Sequence, residues 1–396
     1  MRSEHVRRSN LSTVLRHVHA KPLTRSQLSE ATGLTRTAIA SLVSTLVDEG
    51  LVREDDSAVR TGPGRPSPVV SGSATSVSLG VEITADSIAV VAVALGGAIL
   101  HSVRVPRIDG PGDPASTVEV VRQLAATTLD ASFGSRGAEL LGIGVAVAGV
   151  VDRSTGSVLV APNIGWRDVP LQQLVAQAFD GKWAVAVANE ADLGMLAECG
   201  RGAAVGRRDV VYISGEAGVG GGVLIGGVPL AGTAGFAGEL GHIPVNPDGG
   251  PCRCGARGCW ETEVGEVAVL RRLGRQHARR GRRSVESLLQ RADEGDPAAL
   301  GAMRGTGRWI GIGLAGLVNL LNPELVVLGG FFAEAFQHLH PAILVELDAR
   351  ALAATRAAVT VVPAALGIDA ALIGAAELGF EAVLADPIRT PRRALA

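Results

Sequence analysis

The sequence predicts an α/β protein in two unequal parts. An N-terminal winged helix-turn-helix head precedes a larger body of two α/β lobes that carries a metal loop. Three observations predict this. Residues 1–50 repeat apolar side chains at helical spacing between capping residues. From residue 77 onward, three short apolar strands followed by alternating helices and strands occur twice. Three of the four cysteines, Cys252, Cys254 and Cys259, fall within eight positions of a segment rich in glycine and proline. The length of 396 residues suits two or three domains, and 47% hydrophobic against 19% charged residues is the composition of a globular chain. The 52 glycines imply many tight turns.

In the head, Leu11, Val14, Leu15 and Val18 form the first helical stripe. Thr24 N-caps a second helix, with Gln27 completing a capping box, and that helix buries Leu28 and Ala31. Gly33 supplies the turn. Thr35 caps a third helix whose inner face is Ala38, Ile39, Leu42, Val43 and Leu46. Arg36, Thr37, Ala40, Ser41 and Ser44 share its outer face, short or basic as a helix entering a major groove requires. Residues 51–53 and 68–70 read as wing strands. Between them, 61–66 is an extended turn with Arg65 at its tip, placed to reach a minor groove or a phosphate. Residues 1–70 hold ten Lys/Arg against seven Asp/Glu, while the rest of the chain holds 27 against 32. Double-stranded operator DNA is therefore the partner expected of the head alone. Its candidate contacts are Arg25, Thr35, Arg36, Thr37, Ser41 and Arg65. A three-helix protein-interaction domain is the alternative reading, and a solvated loop arginine is the alternative for Arg65.

Residues 1–70 form the head and 71–76 a linker of small residues. The first lobe, 77–188, reads as strands at 77–83, 88–94 and 98–105, a helix at 114–132, a buried strand at 139–147, a helix at 170–179 and a strand at 182–188. The second lobe, 189–385, begins with a helix at 191–199, a hairpin at 209–215 and 219–226, and an extended piece at 228–231. After the metal loop come helices at 262–280, 284–292 and 297–321, a strand at 324–329, a helix at 331–350, a strand at 358–362 and a helix at 369–385. The tail, 386–396, with Arg389, Arg392 and Arg393, reads as a solvated end. No apolar segment of signal type follows the N-terminus. The apolar runs 77–94 and 139–151 are broken by Glu82, Asp86, Glu139 and glycines. Neither a secretory signal nor a membrane span is expected. Few, clustered cysteines fit a reducing cytoplasm.

His242 lies ten residues before Cys252. Three thiols and one imidazole, spanning 242–259, are a four-ligand set that closes a tetrahedral structural Zn²⁺ site. The other reading is a disulfide with spare thiols, for which Cys-x-Cys is a poor geometry. Glu239 and Glu261 bracket the cluster. Asn189 and Glu190 stand at the end of a buried strand, where open α/β sheets bind ligands. There the amide could bond vicinal hydroxyls and the carboxylate act as a general base; equally, the pair is a helix cap and a first-turn acid. Asn163 either binds a ligand or caps its turn. Residues 215–222, GEAGVGGG, either cradle a phosphate or form a plain hairpin, and Glu216 places a negative charge near any such anion.

Together these residues resemble the ROK family, which contains bacterial sugar kinases, sugar-responsive repressors and open-reading-frame proteins of the same fold. The resemblance covers nearly the whole length. Residues 252–261, CRCGARGCWE, are similar to the family's zinc signature, and Glu239-Leu-Gly-His242 to its ExGH motif. Pro162-Asn163-Ile-Gly-Trp166 and Asn189-Glu190 resemble its other sugar-site pieces. The resemblance implies a two-lobed actin-like (ribonuclease H-like) ATPase/sugar-kinase fold with a zinc loop. It also implies a sugar pocket lined by Asn163, Asn189, Glu190, Glu239, His242 and Glu261, with His242 shared between zinc and sugar. The head, with its Gly64-Arg65-Pro66 turn, resembles the repressor branch.

Family kinases open the ATP site with Asp-x-Gly-(Gly/Ala)-Thr. Here the residues are Glu82-Ile-Thr84-Ala-Asp86. Thr84 replaces the glycine that lets the backbone approach a phosphate, and Asp86 puts a charge where a hydroxyl should donate. Glu190 stands where the kinases carry their catalytic Asp, so no catalytic residue is assigned. The expectation is a sugar-responsive DNA-binding transcriptional repressor of carbohydrate genes without kinase activity. It would hold structural zinc, bind a sugar or sugar-derivative effector, and act as a homodimer or homotetramer in the cytoplasm at the nucleoid, with no membrane partner. The alternatives are an active, glucokinase-like sugar kinase carrying a DNA-binding head, and a constitutive DNA binder with a vestigial pocket.

Overall fold

A computed structural model describes residues 2–55, 68–107, 112–133, 138–233, 235–274, 282–388 and 393–394. The head contains α1 (Arg2–Ala20), β1 (Leu23–Thr24), α2 (Arg25–Thr32), α3 (Arg36–Asp48), β2 (Val52–Asp55) and β3 (Val69–Gly72). Both caps form as the sequence dictates. Thr24 and Gln27 close a capping box on α2, and Thr35 Oγ1 accepts the Ala38 N–H at the start of α3. Gly33 turns the chain at φ 70°, a left-handed conformation that glycine adopts without strain. The wing is the three-stranded sheet β1-β3-β2. Arg65 and the rest of the expected 61–66 turn lie outside the described residues.

The linker expected at 71–76 is not a tether. Ser71 and Gly72 pair with Arg53 and Val52 inside the wing, and Ser76 is buried, its Oγ donating to Gly50 O at 3.1 Å. The small residues serve close packing: a Cβ on Gly72 would collide with the backbone of Leu95. The core of the head is also continuous with that of the body. Leu11, Leu15, Val18, Leu28 and Leu46 share one apolar cluster with Val91, Val93, Leu372, Phe380 and Leu384 of the body.

The first lobe follows with β4 (Ser76–Ile83), β5 (Ser87–Ala94), β6 (Ile99–Pro106), α4 (Pro114–Phe133), β7 (Glu139–Val147), β8 (Val150–Asp152), β9 (Ser157–Ala161), β10 (Trp166–Val169), α5 (Leu171–Ala178) and β11 (Val185–Asn189). The second comprises α6 (Glu190–Arg201), β12 (Val210–Gly215), β13 (Val219–Ile225), β14 (Val228–Pro229), α7 (Glu261–Val264), α8 (Glu266–Arg272), α9 (Arg282–Asp293), α10 (Pro297–Leu321), β15 (Leu325–Gly330), α11 (Phe331–Glu334), α12 (Phe336–Arg350), α13 (Ala353–Ala358), β16 (Thr360–Pro363) and α14 (Ala370–Ala385). The sheets run β11-β7-β4-β5-β6 and β14-β13-β12-β15-β16. In each, the first strand pairs antiparallel with the second and parallel with the strand after the helices, so the internal duplication is a duplication of topology.

Four differences from the expectation have physical causes. The small sheet β10-β9-β8 has no signature in the sequence, because its strands of three to five residues show little periodicity. Gly265, extended at ψ 165°, splits the helix expected at 262–280 into α7 and α8. Helix α14 returns to the first lobe, although the expected boundary assigns it to the second. Gly80, Gly142 and Gly144 on β4 and β7 let its backbone lie so close that a Cβ at any of them would collide with it. Lastly, the tail is not wholly free. Backbone pairing joins Arg393 to Leu140 and Ala394 to Glu139 as strand β17 (Arg393–Ala394). That edge of β7 is open because β11 pairs with it only from Ile143 onward.

Candidate functional site

The carboxyl ends of β4, β7, β11, β12 and β15 converge on two neighbouring cavities, as ligand sites in open α/β sheets do. The first is lined by Gly149, Val151, Arg153, Asn189, Asp192 and Glu239, among others. The second is lined by Glu82, Glu190, Ser214, Glu216, Gly330 and Ala370, among others.

Asn189 ends β11 and caps α6. Its Oδ1 accepts from the N–H groups of Ala191 at 2.8 Å and Asp192 at 3.3 Å, and its Nδ2 donates to Gly149 O at 2.9 Å. The capping alternative is thus realised, and one N–H remains for a ligand. Asp192, nearly buried, lies on the same face of α6 and pairs with Arg153 at 2.7 Å. Neither was singled out in the sequence, although an acid three positions after Asn189 in an otherwise apolar helix is a readable signal. Glu239 lines the same cavity.

The remaining expected sugar residues divide between two places. Asn163 lies in the turn between β9 and β10. Its Oδ1 accepts from Arg253 Nη1 at 2.8 Å. Glu261 begins α7 and accepts the Val219 N–H at 3.1 Å. Both carboxylate and amide close over Gly218, where a Cβ would meet them. Asn163, Glu261 and His242 therefore surround the metal loop rather than line the first cavity. Glu190 departs further from the expected pocket. It is the first residue of α6, and the helical turn after Asn189 rotates it into the second cavity, beside Glu82 and Glu216.

That second cavity gathers three carboxyl groups, which their burial drives towards the neutral form. Burial raises the Glu190 carboxyl to about 8, with the nearby Glu82 charge adding to the effect. Burial, then Glu190 and Glu82, push Glu216 well above the usual carboxylate range. Glu82 is raised by burial too, against the opposing charge of Arg104, which bonds it at 2.5 Å and also reaches Asp369 at 2.9 Å. At the β4–β5 turn, Thr84 Oγ1 accepts the Asp86 and Ser87 N–H groups, so the side chain itself occupies the turn. The 215–222 segment is a hairpin, as the plainer reading had it.

In the metal loop, Cys252, Cys254 and Cys259 are free thiols. Their sulfurs and the His242 ring nitrogen all lie within 4.8 Å of one another. Cys254 Sγ and Cys259 Sγ are 3.7 Å apart, as are Cys252 Sγ and His242 Nδ1. A disulfide needs about 2.05 Å, whereas the edge of a tetrahedron of ligands at ~2.0–2.3 Å is about 3.3–3.8 Å. The four donors could hold a metal ion. Trp260, fully buried against Gly313 and bonded to Trp309 O at 2.8 Å, anchors the loop to α10.

In the head, Arg36, Thr37, Ser41 and Ser44 lie exposed on one face of α3. Thr35 is exposed and occupied as the cap. Arg25 is not free: it makes a two-pronged pair with Glu54 of the wing, both bonds 2.6 Å. Among the described residues no helix is long and apolar enough to cross a membrane.

A helix-turn-helix head fused to a duplicated sugar-kinase-like body with a His/Cys₃ loop defines a regulator class, and the comparisons agree. Residues 78–381 match the ROK family and residues 13–56 match the IclR helix-turn-helix domain. The chain belongs to the ROK family. It is 28% identical over 385 residues to the xylose repressor of Bacillus spizizenii, covering 95% of this chain and 96% of that one. It is 33% identical over 330 residues to the glucokinase of Streptomyces coelicolor, covering 79% of this chain and 99% of that one. A solved ROK family transcriptional regulator, homologous to the Escherichia coli MLC protein, shares the fold at a TM-score of 0.78 and 24% identity, over 96% of this chain and 97% of that one. The repressor relative spans the head as well as the body, whereas the glucokinase spans a length consistent with the body alone.

Proposed function

We propose that this protein is a sugar-responsive, DNA-binding transcriptional repressor of carbohydrate genes. One observation carries the reading: an exposed face of short and basic side chains on α3 is joined to a cleft whose second cavity is acidic. Arg36, Thr37 and Ser41 would meet DNA, with Thr35 beside them, and Arg25 once released from Glu54; Arg65 belongs to the same proposal. Asn189 and Glu239, now with Asp192 and Arg153, would receive the sugar in the first cavity, with Asn163, His242 and Glu261 reaching it from the metal-loop side and Glu190 from the neighbouring second cavity. Zinc would fill the His242, Cys252, Cys254 and Cys259 cluster. With four protein ligands and no open position it would brace the loop rather than catalyse. Nδ1 of His242 faces Cys252 and would take the metal, which leaves Nε2 for a hydroxyl.

A kinase must hold three phosphate oxygens near positive or N–H donors. The second cavity instead offers the carboxyl groups of Glu82, Glu190 and Glu216 and no cation among its described lining residues, which disfavours phosphoryl transfer and favours the cleft as a receptor. A ligand shifts an equilibrium only by its different affinities for two states, so the sugar-bound state must hold DNA differently from the free one. Two heads in a homodimer or homotetramer would span two half-sites about one helical turn apart. The site of action would be the cytoplasm, at the nucleoid.

The test is a mobility-shift assay at low salt with DNA fragments from upstream of sugar-utilisation genes, repeated with a sugar panel that starts from D-xylose. Sequence-selective binding that one sugar alters is the expected result; its absence at low salt overturns the reading. The second reading, an active sugar kinase, is favoured by the likeness to glucokinase. Turnover of ATP with any hexose or N-acetylhexosamine would establish it.

A further inference from the structure

Helix α6 joins the cleft to the head. Its N-terminus carries Asn189 as cap and Glu190 as first residue, one at each cavity. Its C-terminus carries Arg201, ~17 Å away along the axis. The Arg201 guanidinium makes three hydrogen bonds, one to each of three elements. Nε donates to Glu377 Oε1 of α14 at 2.6 Å, and Nη1 donates to Gly96 O in the β5–β6 turn at 3.1 Å. Nη2 reaches His19 O at 3.3 Å and lies 3.0 Å from His19 Nε2. His19 is the penultimate residue of α1. It is 6% exposed, and its ring packs on Phe380. Gly96 N–H donates to its Nδ1 at 3.1 Å, so its ring proton sits on Nε2, which meets Glu377 Oε2 at 2.6 Å. A Cβ on Gly97 would collide with the guanidinium, so the glycine turn is shaped to admit it.

Between its two ends the helix packs against both lobes. Ala191 and Met195 pack with Tyr212 and Leu224 of the second lobe, while Leu193 packs with Ala146 and Ala375 on the first. One turn before Arg201, buried Glu198 accepts the N–H groups of Ala203, Ala365 and Leu366 at 2.6, 3.1 and 2.7 Å. Any relative motion of the lobes must carry α6 with one side or the other. The end that would move against the head is the end Arg201 holds.

We propose that Arg201 is the positioning residue that couples the state of the cleft to the seating of the head, through its clasp on His19, Glu377 and the Gly96 carbonyl. The proposal rests on reading the cleft as a sugar site, and its test separates the two. Other contacts across this junction bypass α6: Arg16–Glu381 at 2.9 Å and Ser12 Oγ–Leu384 O at 2.6 Å reach α14, and Ser76 Oγ–Gly50 O at 3.1 Å ties the head to β4.

The experiment is hydrogen–deuterium exchange on the full chain. Arg201→Gln removes the charge-assisted bonds and is expected to speed exchange of the amides at 17–20 and 96 by about tenfold or more. The α3 core amides at 42–46 should keep their rates. Arg201→Lys keeps the charge near Glu377 but cannot span three partners, and is expected to give an intermediate rate; it also serves if the glutamine variant does not fold. Asn189→Ala loosens the opposite end of α6. It is expected to speed exchange at 17–20 in the wild-type background and to add nothing in the Arg201 variants. Additive effects at 17–20, or no effect of Asn189→Ala there, overturn the coupling. With D-xylose, or another sugar that raises the melting temperature, wild type should change exchange at both 190–194 and 17–20, and Arg201→Gln only at 190–194. A head response that persists in Arg201→Gln sinks the coupling and leaves the sugar reading standing. Non-additivity without any sugar response does the reverse.

Discussion

Arg253, set between two of the metal-loop cysteines, donates to Asn163 Oδ1 across 90 positions of sequence, at 2.8 Å. This bond ties the loop that a metal would brace to the turn between β9 and β10, and so to the rim of the cleft. Order in the loop and order at the rim are therefore linked.

The first prediction follows from that link. Wild-type protein should carry one zinc per chain, and Cys254→Ser should lose it, because three donors remain and the fourth edge opens. Loss of zinc should weaken sugar binding by roughly tenfold or more through Arg253 and Glu261, while the head stays folded. Metal analysis together with sugar-dependent thermal shift checks both halves; zinc-free wild type would remove the premise.

The head should fail separately from the cleft. Arg36→Ala takes a charge from the exposed face of α3, and should cost about 1–3 kcal/mol of DNA affinity with sugar affinity unchanged. Titrations at several salt concentrations should show a steep dependence, shallower by about one counterion if Arg36 meets a phosphate. Equal loss of DNA and sugar binding would mean that the face is misassigned.

The acidic cavity sets a pH signature. Folded Glu190 keeps its proton up to about pH 8, whereas in the unfolded chain it ionises near its ordinary 4.5. Between those values the folded state binds more protons, so stability falls as pH rises through the window. Glu216 acts in the same direction. Melting temperature measured across this range should decline, and Glu190→Gln should flatten the decline, leaving the variant more stable than wild type near the top of the window. A variant that parallels wild type throughout would mean Glu190 is ionised in the folded protein.

The loop anchor makes a stability prediction. Trp260 is fully buried, bonds Trp309 O and fills the space over Gly313. Trp260→Ala should cost about 3–5 kcal/mol, as large core truncations do, measured by denaturant unfolding. A cost below about 1 kcal/mol would show that the site collapses around the cavity.

Much of the protein is decided locally and was legible for that reason. A capping box needs only four consecutive residues, so Thr24 and Gln27 announced α2. Thr35 announced α3, and Gly33 the turn between them. The helical spacing of Ile39, Leu42, Val43 and Leu46 named their buried face. Three cysteines in eight positions and a histidine named the donor set, because short loops keep sequence neighbours close. The topological duplication also showed, as two runs of apolar strands.

Other features needed distant parts of the chain to meet. The sequence placed Glu190 next to Asn189, but adjacent residues at a strand-to-helix turn point apart, and only the fold put one in each cavity. Arg253 and Asp192 gained partners 90 and 39 positions away. The head looked like a tethered domain because its periodicity ends before residue 71. Yet its core is completed by residues of the body, Val91, Val93, Phe380 and Leu384 among them. Burial of apolar surface carries no sequence address: a stripe such as Leu11–Val14–Leu15–Val18 declares that it must be covered. Only the tertiary structure decides what covers it. Here that choice seats α1 on α14 and brings His19 to Arg201.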